Sequence, residues 1–272
     1  MDSAEIFELV IVFLLSAVFS SFATVLCYRI PREIPLGLFS HVRSQCPSCS
    51  KVIPFYENIP IFGFIFLRGR CSSCQNPIPI RYFLIELSVT AVLSASYYIL
   101  RKSGAVTELD PISYWTLFVA DLYFMFSLVV ITFIDIEFRI IPDRFSLGSW
   151  VVALLLLGLR SNSPWEGVLG GLAGFGFFFL LAWGYEKYKG IEGLGFGDVK
   201  MMGWLGTWLG IGSLPAIILI GSLSGLLWGL VAMIKSKDGM MTAIPFGPFL
   251  AFAAALVWIL KAYSVETLAL AY

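Results

Sequence analysis

The sequence predicts an all-α polytopic membrane protein of about eight transmembrane helices, with a small zinc-ribbon-like domain between the first and second helices. Hydrophobic residues make up 58% of the chain and charged residues 13%, whereas soluble domains have about 25% charged residues. The mean hydropathy of +0.87 agrees with this class. Two Cys-x-x-Cys pairs fall in the one long polar stretch. The formal net charge is zero, so the sequence shows no excess of basic residues for binding nucleic acid. The hydrophobic composition makes a lipid bilayer the expected surroundings.

The apolar segments set the expected helices. The first covers residues 6–26, close to the ~20 residues that span a bilayer. The acidic residues Asp2, Glu5 and Glu8 lie at its start, where a secretion signal has a basic region, so we expect a permanent span. After the polar residues 28–81, the further apolar segments are 82–100, 114–134, 145–159, 165–185, 199–212, 213–234 and 245–263.

Two of these segments, 145–159 and 199–212, are short for a hydrocarbon core about 30 Å thick. They are expected to be re-entrant, interfacial or packed inside the helix bundle. The expected organisation is residues 1–27 for the first transmembrane helix, 28–81 for a cytoplasmic four-cysteine domain and 82–272 for the main transmembrane domain.

The basic residues predict the orientation of the chain. If the segments alternate sides, 14 of the 18 Lys and Arg residues lie on the side of residues 28–81, and four lie opposite: Arg101, Lys102, Arg160 and Lys261. Because cytoplasmic loops carry the excess of Lys and Arg, the first side is cytoplasmic. On this topology Asp135 and Asp198, 63 residues apart in sequence, reach the same cytoplasmic face.

The cysteines predict a metal site. Cys46 and Cys49 form one pair, Cys71 and Cys74 a second, and 21 residues separate the pairs. Two such pairs are typical of a closed tetrahedral structural zinc site, the alternative being incidental or redox-active cysteines. The closed site argues against zinc as a hydrolytic metal, and the lack of a His-Glu-x-x-His motif, with His41 as the single histidine, disfavours a histidine-based zinc protease or a Ser-His-Asp triad.

Two aspartates are the candidate catalytic residues. Asp198 follows Gly195-Phe196-Gly197, where glycines permit positive φ and close approach of another chain. Asp198 is expected at a helix N-cap, where the dipole favours the anion, and Asp135 at a helix C-terminus, where ionisation is harder. One such carboxyl group can take a proton from water while the other donates to a scissile carbonyl. Lys200 is expected to be an interfacial anchor that biases the field near Asp198.

Other charged residues have structural interpretations. Asp121 falls inside a span, where helix packing or a buried hydrogen bond is favoured over catalysis. The charged residues between Asp135 and the next helix, which are Glu137, Arg139, Asp143 and Arg144, indicate a solvated turn. The corresponding structural interpretation of residues 195–198 is a glycine-rich turn with an aspartate cap.

The chain resembles the type IV prepilin peptidases, bacterial inner-membrane aspartic proteases of the GxGD type, over nearly its whole length. The order and spacing of several short motifs carry this resemblance. The motifs are Phe22 with Tyr28-Arg29-Ile30-Pro31, Arg43-Ser44-x-Cys46-Pro47-x-Cys49, Asn58-Ile59-Pro60, Leu67-Arg68-Gly69-Arg70-Cys71-x-x-Cys74, Arg81-Tyr82-x-Leu84-Ile85-Glu86, Asp135 with Ile141-Pro142-Asp143, Gly195-x-Gly197-Asp198-x-Lys200 and Pro245-Phe246-Gly247-Pro248-Phe249-Leu250-Ala251.

The resemblance implies two activities. The peptidase domain, residues 82–272, cuts the leader from type IV prepilins or pseudopilins at the cytoplasmic membrane face, with Asp135 and Asp198 as the catalytic pair. Gly195, Gly197 and Lys200 position the substrate. The enzyme then methylates the new N-terminal residue with S-adenosylmethionine.

The methyl transfer is attributed in the family to the large cytoplasmic loop, here residues 28–81. This loop contains no glycine-rich nucleotide motif. Where the family often has Gly-Ser-Phe-Leu-Asn near the end of the first span, this chain has Ser20-Ser21-Phe22-Ala23-Thr24. The missing Asn bears on methylation or on helix packing.

Three alternatives stay open at this stage. The first is a zinc-ribbon membrane scaffold of a pilus or secretion apparatus, in which the acids only cap helices. The second is an ion or proton transporter that uses Asp121 and Asp135. The third is a peptidase that lacks the methyltransferase activity.

Overall fold

The computed structural model describes residues 3–36, 44–102, 111–160, 164–191, 193–235 and 245–269, and the regular secondary structure in these ranges is helical. The expected all-α class is therefore confirmed. His41 lies outside the described residues. The chain divides into two compact units, Met1–Tyr98 and Ile99–Tyr272.

The N-terminal unit begins with helix α1, Ser3–Arg29, which contains the first expected span. A short helix α2, Phe62–Phe66, and the long helix α3, Ile80–Lys102, follow. The described residues between α1 and α2 form turns and short 3-10 helices, and two isolated β-bridges, one before and one after α2, close the turns that carry the cysteines. Near the N-terminus of α1, the carboxylate of Glu8 accepts a hydrogen bond from the Tyr97 hydroxyl of α3.

The C-terminal unit is a helical bundle built around one short buried helix. Its helices are α4 (Pro111–Phe138), α5 (Asp143–Leu155), α6 (Leu157–Arg160), α7 (Pro164–Lys189), α8 (Phe196–Leu209), α9 (Leu214–Lys235) and α10 (Gly247–Ala269). Every residue of α8 from Met201 to Leu209 is buried. A helix that is enclosed on all sides needs no polar face, which explains why α8 after Lys200 is apolar except for Thr207.

Glycines let α7 and α8 pack backbone against backbone. A Cβ atom on Gly170 would lie 2.1 Å from the Gly206 carbonyl oxygen, and one on Gly174 would lie 2.4 Å from the Met202 carbonyl oxygen. Close contact of this kind is how small residues stabilise helix pairs in lipid. The contact fixes α8 against α7 and thereby sets the height of the Asp198 end of α8.

Five helices among the described residues are long and apolar enough to cross a membrane, which are Glu5–Arg32, Ile80–Lys102, Trp115–Phe138, Pro164–Lys189 and Ile211–Ile234. The expected count of about eight spans is not confirmed. Helix α8 has 14 residues, or roughly 21 Å at 1.5 Å per residue, which is less than the hydrocarbon thickness. Its burial within the bundle removes the need to reach both surfaces.

Candidate active site and four-cysteine cluster

Asp198 is held at the start of α8, in the third position of the helix. The N-cap is Gly195, with φ −64° and ψ 135°, and the Asp198 N–H donates to the Gly195 carbonyl oxygen at 3.0 Å. The prediction that Asp198 itself is the N-cap is therefore wrong. The expected positive φ is also absent at Gly195. Glycine at position 195 instead leaves space for the Asp198 carboxylate, since a Cβ at this position would lie 3.2 Å from Oδ2 of Asp198.

Gly197 provides the close approach that its sequence context predicts. A Cβ on Gly197 would lie 2.9 Å from the Cβ of Ile141, in the turn between α4 and α5. The Cδ1 atom of the same Ile141 lies 3.1 Å from the position of a Cβ on Gly247, at the start of α10. Ile141 therefore packs between the start of α8 and the start of α10. The sequence around Ile141 does not indicate this contact.

Asp135 lies in the last turn of α4, three residues before its end at Phe138, and only 5% of the residue is exposed. Its Oδ2 atom accepts a hydrogen bond of 3.0 Å from the backbone N–H of Gly247. A Cβ on Gly247 would lie 2.8 Å from the same oxygen. Gly247 is not among the site residues expected from the sequence, although Gly247 lies within one of the motifs that carry the resemblance.

The two acids belong to the same unit and lie beside the same side chain. Asp198 is 9% exposed, and Ile141 packs both against Gly197, next to Asp198, and against Gly247, whose N–H donates to Asp135. The Oδ1 atom of Asp198 is buried and accepts no hydrogen bond. Two neighbouring buried carboxyl groups resist simultaneous ionisation because like charges repel, so one proton shared by the pair is favoured. A pair of this kind can supply one general base and one general acid.

Lys200 lies two residues after Asp198 and is paired with Asp143. Its Nζ atom donates to Oδ1 of Asp143, the first residue of α5. The same nitrogen lies 5.2 Å from the centre of the Phe196 ring. The lysine thus connects the starts of α5 and α8 at the edge of the candidate active site.

The acids interpreted as structural behave as expected. Oδ1 of Asp121 accepts a hydrogen bond of 3.2 Å from Trp208 Nε1, which agrees with a packing role. Glu137, Arg139, Asp143 and Arg144 are exposed, as expected of a solvated turn. The sequence-based interpretation of these residues is confirmed.

The four cysteines of the N-terminal unit converge in a second candidate site. Their Sγ atoms all lie within 4.8 Å of one another, with Cys46 and Cys74 at 3.8 Å and Cys49 and Cys71 at 4.0 Å. Thiolates at the corners of a tetrahedron with metal–sulfur bonds of about 2.3 Å would be roughly 3.8 Å apart. Two of the separations are therefore close to those of a tetrahedral metal site, and the others reach it by a contraction of at most about 1 Å.

Each half of the cluster is built in the same way. In the first turn, Cys46 N–H donates to the Lys51 carbonyl and Ser50 N–H donates to the Cys46 carbonyl, both at 2.9 Å. In the second, Cys71 and Gln75 make the equivalent bonds at 2.9 and 3.0 Å. The closing residues Ser50 and Gln75 both have positive φ, 56° and 59°. The resulting tight turns point backbone N–H groups at the sulfur atoms.

These N–H groups favour thiolates in the cluster. Hydrogen bonds from the backbone of Ser48 and then Cys49 lower the pKa of Cys46 to about 6. The backbone of Cys74 and Ser73 likewise lowers the pKa of Cys71. The backbone of Asn76 lowers the pKa of Cys74, but burial and the three neighbouring sulfur atoms outweigh it and raise this pKa to about 11. The electrostatics of the protein therefore favour thiolates at Cys46 and Cys71, and a metal ion would have to displace the Cys74 proton.

A polar network braces the two turns. Lys51 Nζ donates to Ser72 Oγ at 3.0 Å, and Ser72 Oγ donates to Oε2 of Glu57 at 2.7 Å. Lys51 comes from the first cysteine turn and Ser72 from the second, so the network holds the two pairs together. Glu57 lies in the 3-10 turn Phe55–Asn58 that follows the first pair.

Comparison with known proteins identifies similar sequences over most of the chain. Residues 14–100 match the Bacterial Peptidase A24 N-terminal domain, and residues 122–230 match the Type IV leader peptidase family. The prepilin leader peptidase/N-methyltransferase of Aeromonas salmonicida is 33% identical over 91% of this chain and 90% of its own length. The proteins of the same name from Aeromonas hydrophila and Stutzerimonas stutzeri are each 34% identical, and cover 91% and 79% of this chain and 90% and 71% of their own lengths. No solved structure matches the chain.

Proposed function

The chain belongs to the type IV leader peptidase family, and from this we propose that it cleaves the leader of prepilins or pseudopilins and then methylates the new N-terminal residue. The observation that carries the peptidase half is the pair of buried aspartates, Asp135 from α4 and Asp198 from α8, within one helical unit. The methyltransferase half is supported by the names of the similar proteins.

Asp135 and Asp198 are the proposed catalytic pair. The hydrogen bond from Gly247 favours the carboxylate form of Asp135, whereas Oδ1 of Asp198 has no such donor. This favours Asp135 as the base that takes a proton from water, and Asp198 as the acid that donates to the scissile carbonyl, the reverse of the assignment that the helix dipole suggests. The water oxygen attacks the carbonyl carbon. When the C–N bond breaks, the proton that Asp135 took from water passes to the leaving amine, and the carbonyl oxygen returns its proton to Asp198.

Three further residues position the substrate in this proposal. Gly197 lets Ile141 pack beside the start of α8, and Gly195 leaves space for the Asp198 carboxylate, so both glycines set the position of the group that the extended prepilin backbone has to reach. Lys200 donates to Asp143 and so holds the start of α8 against the start of α5 at the edge of the site. The prepilin enters with its hydrophobic segment in the lipid bilayer and its basic leader in the cytosol, where exposed acids such as Glu137 and Asp143 attract it.

We assign the cytoplasmic side of the inner membrane to both the active site and the four-cysteine domain, on the basis of the excess of Lys and Arg there. In this assignment residues 28–81 are the cytoplasmic four-cysteine domain, between the first transmembrane helix within residues 1–27 and the peptidase domain within 82–272. The cysteine cluster holds a structural zinc ion through Cys46, Cys49, Cys71 and Cys74. With four thiolate ligands the ion has no open position, so its contribution is to the folding of this small domain.

The methyl transfer uses S-adenosylmethionine as the donor. The neutral N-terminal amine of the cleaved pilin attacks the methyl carbon, a C–N bond forms while the S–C bond breaks, and the sulfur keeps the electron pair as a thioether. The methylated ammonium then loses a proton to water. This reaction needs a site for the donor that is distinct from the aspartate pair.

Incubation of the purified chain with a prepilin and S-adenosylmethionine carrying a labelled methyl group tests both halves. Mass spectrometry of the product is expected to show a mature N-terminus that lacks the leader and carries one labelled methyl group. A mature but unmethylated product would indicate a peptidase that lacks methyltransferase activity. An uncut precursor would favour the scaffold or transporter interpretations.

A further inference from the structure

The N-terminal unit carries an apolar run that lies outside its two candidate membrane spans. The run covers residues 59–67 and contains no polar side chain. In a small water-soluble domain such a run would form the core, but only Ile61 and Gly63 of the run are buried. Large apolar residues of this run and of the 3-10 turn before it are exposed instead. We call them the aromatic surface, which consists of Phe55, Tyr56, Ile59, Phe62, Ile65 and Phe66.

The two segments that form the aromatic surface pack directly against each other. A Cβ on Gly63 would lie 2.2 Å from the Glu57 carbonyl oxygen, so backbone contact joins α2 to the preceding 3-10 turn. The rings of Phe62 and Phe66 stack with their centres 6.2 Å apart. Phe55 and Phe66 are 85% and 74% exposed. Exposed apolar residues that are grouped in this way, unlike single ones, mark an interaction surface.

The opposite face of α2 is attached to the beginning of α3. The Phe64 ring stacks on the Phe83 ring with 5.2 Å between their centres, and the backbone N–H of Ile61 donates to Oε2 of Glu86 at 2.6 Å. Phe83 lies in the first turn of α3 and Glu86 in the second. Because α3 is one of the candidate membrane spans, these contacts hold α2 at the level where that span enters the bilayer.

Arginine and tyrosine residues mark the same level on both spans. At the start of α3, the Arg81 guanidinium carbon lies 5.1 Å from the centre of the Tyr82 ring. At the end of α1, the Arg32 guanidinium carbon lies 4.3 Å from the centre of the Tyr28 ring. Tyrosine and basic residues are enriched where membrane helices cross the lipid headgroups. This composition locates the headgroup layer at the first turn of α3, which is the turn that α2 contacts.

The backbone of this segment suits an apolar environment. A chain in contact with lipid has to satisfy its backbone donors internally, because water is absent there. Seven backbone N–H groups donate to carbonyl oxygens a few residues earlier, at distances from 2.7 to 3.2 Å, and these are the N–H groups of Phe62, Gly63, Ile65, Leu67, Arg68, Gly69 and Arg70. These donors therefore need no water.

The charges beside the aromatic surface are positive. Arg68 and Arg70 follow α2 directly, and both are exposed. Glu57 is the single acidic side chain of residues 44–81, and it accepts a hydrogen bond from Ser72 and lies 3.9 Å from Lys51 Nζ. Exposed aromatic residues with neighbouring basic residues are the composition of an anchor in the membrane interface, where the basic groups meet anionic lipid phosphates.

We propose that the aromatic surface inserts into the headgroup layer of the cytoplasmic leaflet, with Arg68 and Arg70 on the phosphates of anionic lipids. A lipid surface is favoured over a protein partner because the contacts with α3 hold α2 at the membrane boundary. The insertion anchors the four-cysteine domain to the membrane beside the ends of α1 and α3. The proposal is independent of the peptidase and methyltransferase activities, and only the choice of leaflet rests on the assigned orientation.

Photocrosslinking of the full-length chain in lipid nanodiscs tests the proposal. The nanodiscs contain equal parts of phosphatidylcholine and phosphatidylglycerol. The variants are Phe66→p-benzoylphenylalanine and, as the control, Ser48→p-benzoylphenylalanine, at an exposed residue of the first cysteine turn. Intact-mass spectrometry after irradiation measures the phospholipid adducts. The Phe66 variant is expected to form them at least about tenfold more often than the Ser48 variant, a ratio that corresponds to about 1.4 kcal/mol.

Arg68→Gln combined with Arg70→Gln, in the Phe66 photocrosslinking variant, tests the basic residues. With both arginines present, phosphatidylglycerol adducts are expected to exceed phosphatidylcholine adducts by about fivefold or more, since one basic residue near an anionic surface contributes about 1 kcal/mol. With both replaced, the ratio is expected to approach one while the total of lipid adducts persists. Arg101→Gln, at the opposite end of α3, is the control and is expected to keep the ratio.

Equal adduct yields from the Phe66 and Ser48 variants would overturn the insertion. Adducts of the Phe66 variant with added prepilin, or with a second copy of the chain, in place of lipid would make the aromatic surface a protein-binding site and overturn it as well. A phosphatidylglycerol preference that survives the loss of both arginines would overturn their role. Metal content and circular dichroism of each preparation establish that the variants are folded. A chain that forms the lipid adducts but does not cleave prepilin keeps this surface and loses the proposed function.

Discussion

The backbone N–H of Gly247 donates a hydrogen bond of 3.0 Å to Oδ2 of Asp135, 112 residues earlier in the chain. This bond attaches the start of α10 to the end of α4 at the candidate active site. It also accounts for the absence of a side chain at position 247, since a Cβ would lie 2.8 Å from the same carboxylate oxygen.

Gly247→Ala is expected to slow prepilin cleavage by about 10²-fold, because a displacement of about 1 Å in a catalytic group has this effect. The added methyl group meets both Asp135 and Ile141, so the carboxylate has to move. The initial rate of leader release measures the effect. Gly184→Ala is the matched control, since a Cβ at Gly184 has open space within 4 Å, and its rate is expected to equal that of wild type. A wild-type rate for Gly247→Ala would separate this contact from catalysis.

Gly170→Ala is expected to destabilise the bundle by about 1–3 kcal/mol, as overpacking of a close interface usually does. The new Cβ meets the backbone oxygen of Gly206 at 2.1 Å, and a backbone atom cannot rotate away. Thermal unfolding in detergent measures the change. Gly176→Ala, on the same helix with no atom within 4 Å of its Cβ, is expected to leave the unfolding temperature unchanged. Equal unfolding temperatures for the two variants would contradict the close α7–α8 packing.

The purified chain is expected to contain about one zinc ion per molecule, and Cys71→Ser is expected to lose it, because a closed tetrahedral site needs all four thiolates. Elemental analysis of the purified protein measures the metal. Cys27→Ser is the control, since Cys27 lies outside the cluster and its variant is expected to keep the metal. Zinc retained by Cys71→Ser at wild-type stoichiometry would exclude a four-thiolate site.

Lys200→Met is expected to weaken the attachment of α8 to α5 by about 0.2–1 kcal/mol, the usual strength of an ion pair with an exposed partner. Asp143→Asn removes the other half of the same pair. If the pair is the main role of Lys200, the double variant has about the stability of each single variant in denaturant unfolding. Fully additive losses would indicate that the two side chains act independently. A rise in KM for Lys200→Met beyond that for Asp143→Asn would support a direct contact of the lysine with substrate.

The sequence identifies the candidate catalytic and metal-binding residues because local chemistry marks them. Acids at the ends of apolar segments are costly unless they have a role, which singles out Asp135 and Asp198, and paired cysteines at short spacing mark the metal site. The all-α class follows from composition. These features depend on residue type and near neighbours only.

The remaining features depend on contacts between distant parts of the chain. Nothing near Gly247 indicates that its N–H meets Asp135, and nothing near Ile141 indicates that it separates α8 from α10. The N-cap prediction failed at Asp198 because the helix begins earlier, at Phe196, and uses Gly195 as its cap. The count of about eight spans is not confirmed, and the burial of α8 agrees with the expectation that the short segment 199–212 packs inside the bundle.

Cleavage of a prepilin by Asp135→Asn, Asp198→Asn and Asp121→Asn tests the aspartate pair most directly. Asn keeps the size of the side chain and removes the proton transfer, so each of the first two variants is expected to lose about 10²–10⁴-fold in rate. Asp121→Asn keeps an acceptor for Trp208 and is expected to cleave at the wild-type rate. A folded Asp135→Asn or Asp198→Asn variant that releases the leader as fast as wild type would contradict the account.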